Sequence, residues 1–248
     1  MAEEEAETTS LKYQSLFPEI PPLSSRDLLQ DTFSSASQVS TTNNNNQPPW
    51  MIHGKKVILV DVRSRPERGV SMISGAVSID EFRNEVLPSL RPSADELQLN
   101  EQPHQNEQKG IVVATYCTIG YRSGVEARKL VSDYPSVFSN HDDNNTSDEE
   151  EGDKSIKIYN MDGIIPFANS TLEEDIQNKT IPPLLIEPIS KQSTNRVHVY
   201  GSSWEKYLST QEGVLEPVVF SRMHFMWRGI SDIGRSLCLR CGCCNGCV

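Results

Sequence analysis

The stretch IVVATYCTIGYRSGVEARKL, residues 111–130, decides the fold of this chain. It begins with a run of apolar and β-branched residues, which predicts a strand buried on both faces in a parallel sheet. The run ends at Cys117, and a short loop that contains Gly120 follows. Helical spacing of apolar residues then begins near Ser123, which predicts a helix that packs on the sheet. The sequence therefore places a thiol between the end of a strand and the start of a helix.

Strand and helix patterns alternate in the rest of the central region. Residues 55–62 (KKVILVDV) and 156–160 (IKIYN) predict two more buried strands, and residues 75–79 (GAVSI) predict a short one. Residues 79–90 have apolar residues at helical spacing. This alternation indicates an α/β domain with a central parallel sheet flanked by helices.

The charge of the chain argues against one class of partner. Its 248 residues carry a formal net charge of −11 at pH 7, whereas a nucleic-acid-binding protein needs a basic surface. No apolar run approaches the roughly 18–20 residues that span a bilayer. The acidic first residues, MAEEEAETTS, lack the pattern of a signal or transit peptide. We therefore expect a cytoplasmic protein with reduced cysteines and no nucleic-acid partner.

The N-terminal residues 1–50 are predicted to form a flexible arm. Residues 34–49 are polar and low in complexity, so they have little apolar surface to bury. Within the arm, residues 24–33 (SSRDLLQDTF) could form a short helix that is capped by Ser24 or Ser25 and packs on the domain.

By its composition, the remainder of the chain divides into a domain and a C-terminal extension. Residues 51–208 contain the predicted strands and helices and are expected to form one domain. Within it, residues 140–153 carry seven acidic residues in fourteen and predict a solvated surface loop. Residues 209–248 are expected to form a C-terminal extension with a cysteine cluster.

The surroundings of Cys117 favour a reactive thiol. Ligands of parallel sheets bind beyond the carboxyl ends of the strands, where we expect Cys117 to lie. Gly120 lets the loop turn successive N–H groups inward, and the following helix adds its own N-terminal N–H groups. These donors would stabilise a thiolate, and Arg122 adds a positive charge. The sequence therefore predicts a nucleophilic thiolate in an anion-binding loop, and the alternative is a buried structural cysteine.

Several segments resemble one known family. CTIGYRSG (117–124) resembles the active-site loop of rhodanese-like sulfurtransferases, and VDVRSRPERGVSMISGAVSI (60–79) is similar to the first signature of that family. IYNMDGIIPFANS (158–170) resembles its closing strand and turn. VHVYGSSWEKYL (197–208) is similar to the tail of single-domain bacterial and plant members. Met72 stands where the first signature usually has histidine.

The resemblance implies a rhodanese-like fold and sulfur transfer without a cofactor or metal. The Cys117 thiolate would take a sulfane sulfur from a small donor, such as thiosulfate or a persulfide. The resulting Cys117 persulfide would pass this sulfur to a thiophilic acceptor, which could be a protein thiol. Arg122 would hold the anionic donor, and Ser123 would cap the helix. Asp61 and Arg63 would brace the loop and the strand ends.

The loop after the cysteine would surround the transferred sulfur. Thr118 could hydrogen-bond it, whereas Ile119 and Tyr121 would shape access to it. The loop residues implied by the resemblance are Thr118, Ile119, Gly120, Tyr121, Arg122 and Ser123.

Two other functions stay open at this point. Cysteine-dependent phosphatases and the related arsenate reductases place one more residue between their cysteine and arginine than the four residues between Cys117 and Arg122. The smaller loop suits a single sulfur atom better than a tetrahedral oxyanion. A rhodanese fold can also serve as a binding or regulatory module without turnover, although inactive members typically lack the cysteine.

The C-terminal residues differ in character from the domain. Aromatic residues and arginines precede five cysteines, which are Cys238, Cys241, Cys243, Cys244 and Cys247. One interpretation is S-acylation, which would anchor the protein to the cytoplasmic face of a membrane without spanning it. The alternatives are a compact metal–thiolate cluster, a redox or persulfide relay that serves Cys117, and a tail with no role.

Overall fold

The computed structural model describes residues 2–36, 49–90, 110–138, 156–172, 184–209 and 214–220. The α-helices are α1 (Ala2–Gln14), α2 (Ser25–Ala36), α3 (Arg65–Arg68), α4 (Ile79–Glu81), α5 (Leu87–Leu90), α6 (Tyr121–Asp133) and α7 (Ile164–Ser170). A π-helical turn, Phe82–Val86, joins α4 to α5, and a 3₁₀-helix spans Ser202–Tyr207. The strands are β1 (Pro22–Leu23), β2 (Met51–Ile52), β3 (Lys55–Asp61), β4 (Met72–Ile73), β5 (Val77–Ser78), β6 (Ile111–Tyr116), β7 (Ile158–Met161), β8 (Leu185–Ile186), β9 (Arg196–His198) and β10 (Glu216–Val218).

A mostly parallel sheet lies at the centre of the domain. Its strand order is β1-β7-β6-β3-β2, and β5 also pairs with β3. Among the described strands of this sheet, β2 alone is antiparallel to its neighbour. The longest pairing joins β3 and β6, from Lys56 opposite Ile111 to Asp61 opposite Tyr116. The predicted α/β fold with a central parallel sheet flanked by helices is confirmed.

Helices cover both faces of the sheet because side chains alternate along each strand. Ala114 and Tyr116 of β6 belong to one core cluster, which also contains residues of α2 and α7. Val113 belongs to a second cluster, which contains Ala127 and Leu130 of α6. Burial on both faces is the reason that β6 has an uninterrupted run of β-branched and apolar residues.

Residues 2–36 form two helices and a strand that pack against the domain, in contrast to the predicted flexible arm. In α1, Ala6, Ser10 and Gln14 are buried at a spacing of four residues, which places them on one helix face. After α1, β1 extends the sheet by parallel pairing with β7. The N-terminal segment therefore forms one edge of the sheet.

The short helix that was predicted within residues 24–33 is confirmed as α2. The N–H of Asp27 donates to Ser24 Oγ at 3.0 Å, which satisfies one of the free donors at the helix start. Leu28 and Leu29 are fully buried in the core, so this helix packs on the domain.

The predicted domain end at residue 208 is wrong. Strand β10 returns beside β9 in a parallel pair, and Leu215 is only 5% exposed. The domain therefore includes residues 214–220, because the second strand of this pair lies there.

Two other predictions fall on residues outside the described ranges. These are the acidic loop 140–153 and the C-terminal residues from 221 onward. Among the helices that the structure describes, none has the length and apolar character needed to cross a membrane.

Candidate active site

Cys117 lies at the carboxyl end of a central strand. It directly follows β6 and is only 2% exposed. The next residues form a tight loop because Gly120, at the N-terminus of α6, has a φ of +92°, a conformation that favours glycine. Thr118 and Ile119 are also buried, whereas Tyr121 is 47% exposed. The structure thus brings the predicted loop residues together around the start of α6.

The prediction that Ser123 caps α6 is wrong. The helix begins at Tyr121, two residues before Ser123, because Gly120 adopts a left-handed conformation at the N-cap. Ser123 instead lies in the first helical turn and is fully buried. Its Oγ lies 2.7 Å from Asn160 Oδ1 and 3.5 Å from Cys117 Sγ, and its single O–H can donate to either atom. This hydroxyl is therefore the polar side-chain group that the structure places beside the sulfur.

Asn160 is a site residue that the sequence reasoning missed. It lies in β7 and is fully buried. Its Nδ2 donates to the Gly120 carbonyl at 3.0 Å, while its Oδ1 lies within hydrogen-bond distance of Ser123 Oγ. One side chain thus holds both the turn of the loop and the hydroxyl next to Cys117. The signal that could have found it is its place as a polar amide at the end of the predicted strand 156–160.

The turn after β7 supports the loop from behind. The N–H of Ile164 donates to the Cys117 carbonyl at 2.9 Å, and the N–H of Ile165 donates to the Thr118 carbonyl at 3.3 Å. Between strand and helix, Gly163 has a φ of +118°. A Cβ at this position would lie 2.6 Å from the Thr118 oxygen and 2.7 Å from the Ile119 nitrogen. The loop therefore rests directly on the backbone of Gly163.

Arg122 makes a two-pronged ion pair with Glu67. Its Nη1 and Nη2 donate to Glu67 Oε2 and Oε1 at 2.8 and 2.7 Å, and Nη2 also donates to Thr118 Oγ1 at 2.9 Å. The ring of Tyr200 lies 5.6 Å from the guanidinium carbon. The fork that was predicted to hold an anionic donor is thus occupied by a carboxylate of the same chain. The arginine side chain is 35% exposed.

Both members of this pair are held in the charged form. Burial acts to raise the pKa of Glu67, but the hydrogen bonds and charge of Arg122, the nearby His198 and the hydrogen bonds from Ser64 outweigh it and lower the pKa well below its usual range. Burial acts to lower the pKa of Arg122. The hydrogen bonds and charge of Glu67 outweigh burial and raise it.

Asp61 and Arg63 connect the ends of neighbouring strands. Arg63 Nη2 donates to Asp61 Oδ2 and to the Ser71 carbonyl, both at 2.6 Å. The Tyr116 hydroxyl donates to Asp61 Oδ2 at 2.8 Å and accepts from the N–H of Ile73 at 3.2 Å. This buried network fixes the residue that immediately precedes Cys117.

Asp162 connects the N-terminal segment to the back of the loop. It is 7% exposed, and its carboxylate accepts hydrogen bonds from the N–H and the hydroxyl of Ser25 at the start of α2. Its backbone carbonyl accepts from Ser10 Oγ at 2.9 Å. Burial raises the pKa of Asp162 to about 7, although the hydrogen bonds from Ser25 act to lower it.

No metal site is found within the described residues, since no three histidine, cysteine or acidic side chains group together there. The five cysteines between residues 238 and 247 lie outside those residues. Their S-acylation and the alternatives to it therefore stay predictions.

Residues 50–163 match the family model of the rhodanese-like domain. This match contains β3, the Cys117 loop, α6 and Gly163. That part of the chain is therefore a rhodanese-like domain, as the resemblance of its motifs predicted, and the family includes sulfurtransferases. No curated protein and no solved structure matches the chain significantly.

Proposed function

We propose that this protein is a sulfurtransferase that carries a sulfane sulfur on Cys117. With thiosulfate as the donor, the Cys117 thiolate attacks the outer sulfur and forms a new S–S bond. The original S–S bond breaks, and sulfite leaves with the bonding electron pair. A thiolate or another thiophile then attacks the outer sulfur of the Cys117 persulfide, and the Cys117 thiolate is the leaving group.

The observation that carries this proposal is the position of Cys117 in its loop. Its sulfur lies 3.5 Å from Ser123 Oγ, directly before the N-terminal turn of α6. N–H groups in the first turn of a helix have no partner within the helix, and the positive end of the helix dipole lies there. Both favour a negative charge on a thiolate or a persulfide. Arg122, whose charge is balanced by Glu67, contacts the loop through its hydrogen bond to Thr118.

Mass spectrometry after incubation with thiosulfate tests the proposal. We expect the peptide that contains Cys117 to gain one sulfur atom and to lose it when cyanide or a thiol is added. Cys117→Ser is the matched control, because it keeps the size of the side chain and removes the nucleophile. Sulfur found only on the cysteines of residues 238–247, with the Cys117 peptide unchanged, would contradict the proposal.

A binding or regulatory module without turnover is the second candidate, and two observations favour it. Cys117 is only 2% exposed, and the fork of Arg122 is occupied by Glu67. If this candidate is correct, neither thiosulfate nor a small persulfide loads the protein. The wild-type protein then reacts in the same way as Cys117→Ser in the mass-spectrometry experiment.

A further inference from the structure

His198 lies close to the buried ion pair. It is the last residue of β9, outside the residues that match the family model, and its side chain is fully buried. Its Nδ1 lies 3.4 Å from Glu67 Oε1, the oxygen that accepts a hydrogen bond from Arg122 Nη2. The C-terminal part of the domain thus contacts the same carboxylate that holds the arginine of the Cys117 loop.

The two oxygens of Glu67 have different surroundings. Oε2 accepts hydrogen bonds from the N–H of Ser64 at 2.9 Å, from Ser64 Oγ at 2.6 Å and from Arg122 Nη1 at 2.8 Å. Oε1 accepts from Arg122 Nη2 and faces His198. On the Oε1 side, His198 is therefore a second contact, besides Arg122, that can fix the plane of the carboxylate.

The position of the His198 ring is itself determined by packing. Val218 of β10 pairs with His198 in the parallel ribbon of β9 and β10. The ring of Phe220 lies 4.7 Å from the imidazole ring, centroid to centroid. Because the imidazole is fully buried and lies against an aromatic ring, few alternative rotamers can carry its Nδ1 away from Glu67.

We propose that His198 is a positioning residue that donates a hydrogen bond from Nδ1 to Glu67 and so fixes the fork of Arg122 beside the Cys117 loop. The path runs from His198 to Glu67, from Glu67 to Arg122, and from Arg122 to Thr118, which follows Cys117. The effect of His198 on sulfur loading rests on the proposed function, whereas its effect on the reactivity of the Cys117 thiol does not.

The rate at which iodoacetamide alkylates Cys117 tests this role, and it requires no sulfur transfer. We expect His198→Leu to slow alkylation by about tenfold, since a hydrogen bond to a charged group is lost. His198→Asn places an amide N–H near the position of Nδ1, so we expect it to restore most of the rate. His53→Asn is the control, because it removes an exposed histidine that contacts Asp31. Equal rates in wild type and His198→Leu would overturn the proposal, as would equal slowing in the leucine and asparagine variants.

A measurement on the unmodified protein covers the case in which His198→Leu does not fold. Long-range ¹H–¹⁵N NMR spectra report which imidazole nitrogen carries the proton. We expect the proton on Nδ1, because only that form donates to Glu67. A neutral ring protonated on Nε2 alone would refute the proposal. Slow alkylation in His198→Leu without any sulfur loading of wild type would support the positioning role and contradict sulfur transfer.

Discussion

Replacing Gly163 with alanine should distort the Cys117 loop. The backbone of Gly163, with φ +118° and ψ 177°, occupies a region that is nearly restricted to glycine, and a side chain there costs about 1–3 kcal/mol. The added Cβ would lie 2.6 Å from the Thr118 oxygen and 2.7 Å from the Ile119 nitrogen. Both atoms belong to the backbone, so no side-chain rotation relieves the overlap. Such overpacking costs a further ~1–3 kcal/mol.

Gly54→Ala is the matched control for this prediction. Gly54 also has a positive φ, +72°, but no atom lies within 4 Å of the position that its Cβ would take. It therefore carries a conformational cost of about 1–2 kcal/mol without an overlap. We expect the free energy of unfolding to fall by about 2–6 kcal/mol for Gly163→Ala, out of a typical total of about 5–15 kcal/mol.

Urea unfolding of the two variants measures the difference, and alkylation of Cys117 measures the state of the loop. We expect Gly163→Ala to lose at least about 1 kcal/mol more than Gly54→Ala, and only the former to change the alkylation rate. Equal losses of unfolding free energy in the two variants, with an unchanged alkylation rate in Gly163→Ala, would refute the contact between Gly163 and the loop.

Three other changes test the surroundings of the loop. Ser123→Ala should slow alkylation of Cys117 several-fold, since the hydroxyl 3.5 Å from the sulfur is lost; an unchanged rate would exclude its role. For Asp162, burial raises the folded-state pKa from 3.8 to about 7, so the folded state binds the proton more tightly than the unfolded state. Stability should therefore fall by up to about 4 kcal/mol as the pH rises from about 4 to 7, and urea unfolding of Asp162→Asn should lack this slope. Gly124→Ala should destabilise the protein by about 1–3 kcal/mol, because its Cβ would overlap the Phe17 ring. In a double-mutant cycle by urea unfolding, Phe17→Ala should remove that penalty, and additive losses would contradict the contact.

The parts of the fold that could be predicted are the segments in which the pattern of apolar residues itself indicates the structure. The strands β3 and β6 are buried on both faces and therefore have continuous apolar runs. The position of Cys117 follows from such a run, from Gly120 and from the helix pattern after them. The exact helix start was missed because Tyr121 and Arg122 are not apolar core residues, so periodicity alone placed the start later.

The packing of α1 could not be predicted from hydrophobic periodicity. Its inward face consists of Ala6, Ser10 and Gln14, of which only the first is apolar. The two polar side chains are satisfied by carbonyl oxygens that lie more than a hundred residues away in the sequence. The pairing of Glu67 with Arg122 spans 55 residues and gives no local pattern either. Such long-range polar pairs can be identified only when the three-dimensional arrangement of the strands is known.

Segments on both sides of the family match contact residues that hold the Cys117 loop, and these contacts are made by side chains. On the N-terminal side, Gln14 Nε2 donates to the Asn160 carbonyl at 2.7 Å, and the Asn160 side chain holds the Gly120 carbonyl. On the C-terminal side, His198 faces the carboxylate that orients Arg122. Each hydrogen bond is worth only about 1 kcal/mol, but an unmet buried polar group costs about 1–3 kcal/mol. Loss of either segment would therefore remove contacts that support the loop, so residues 50–163 alone lack part of its surroundings.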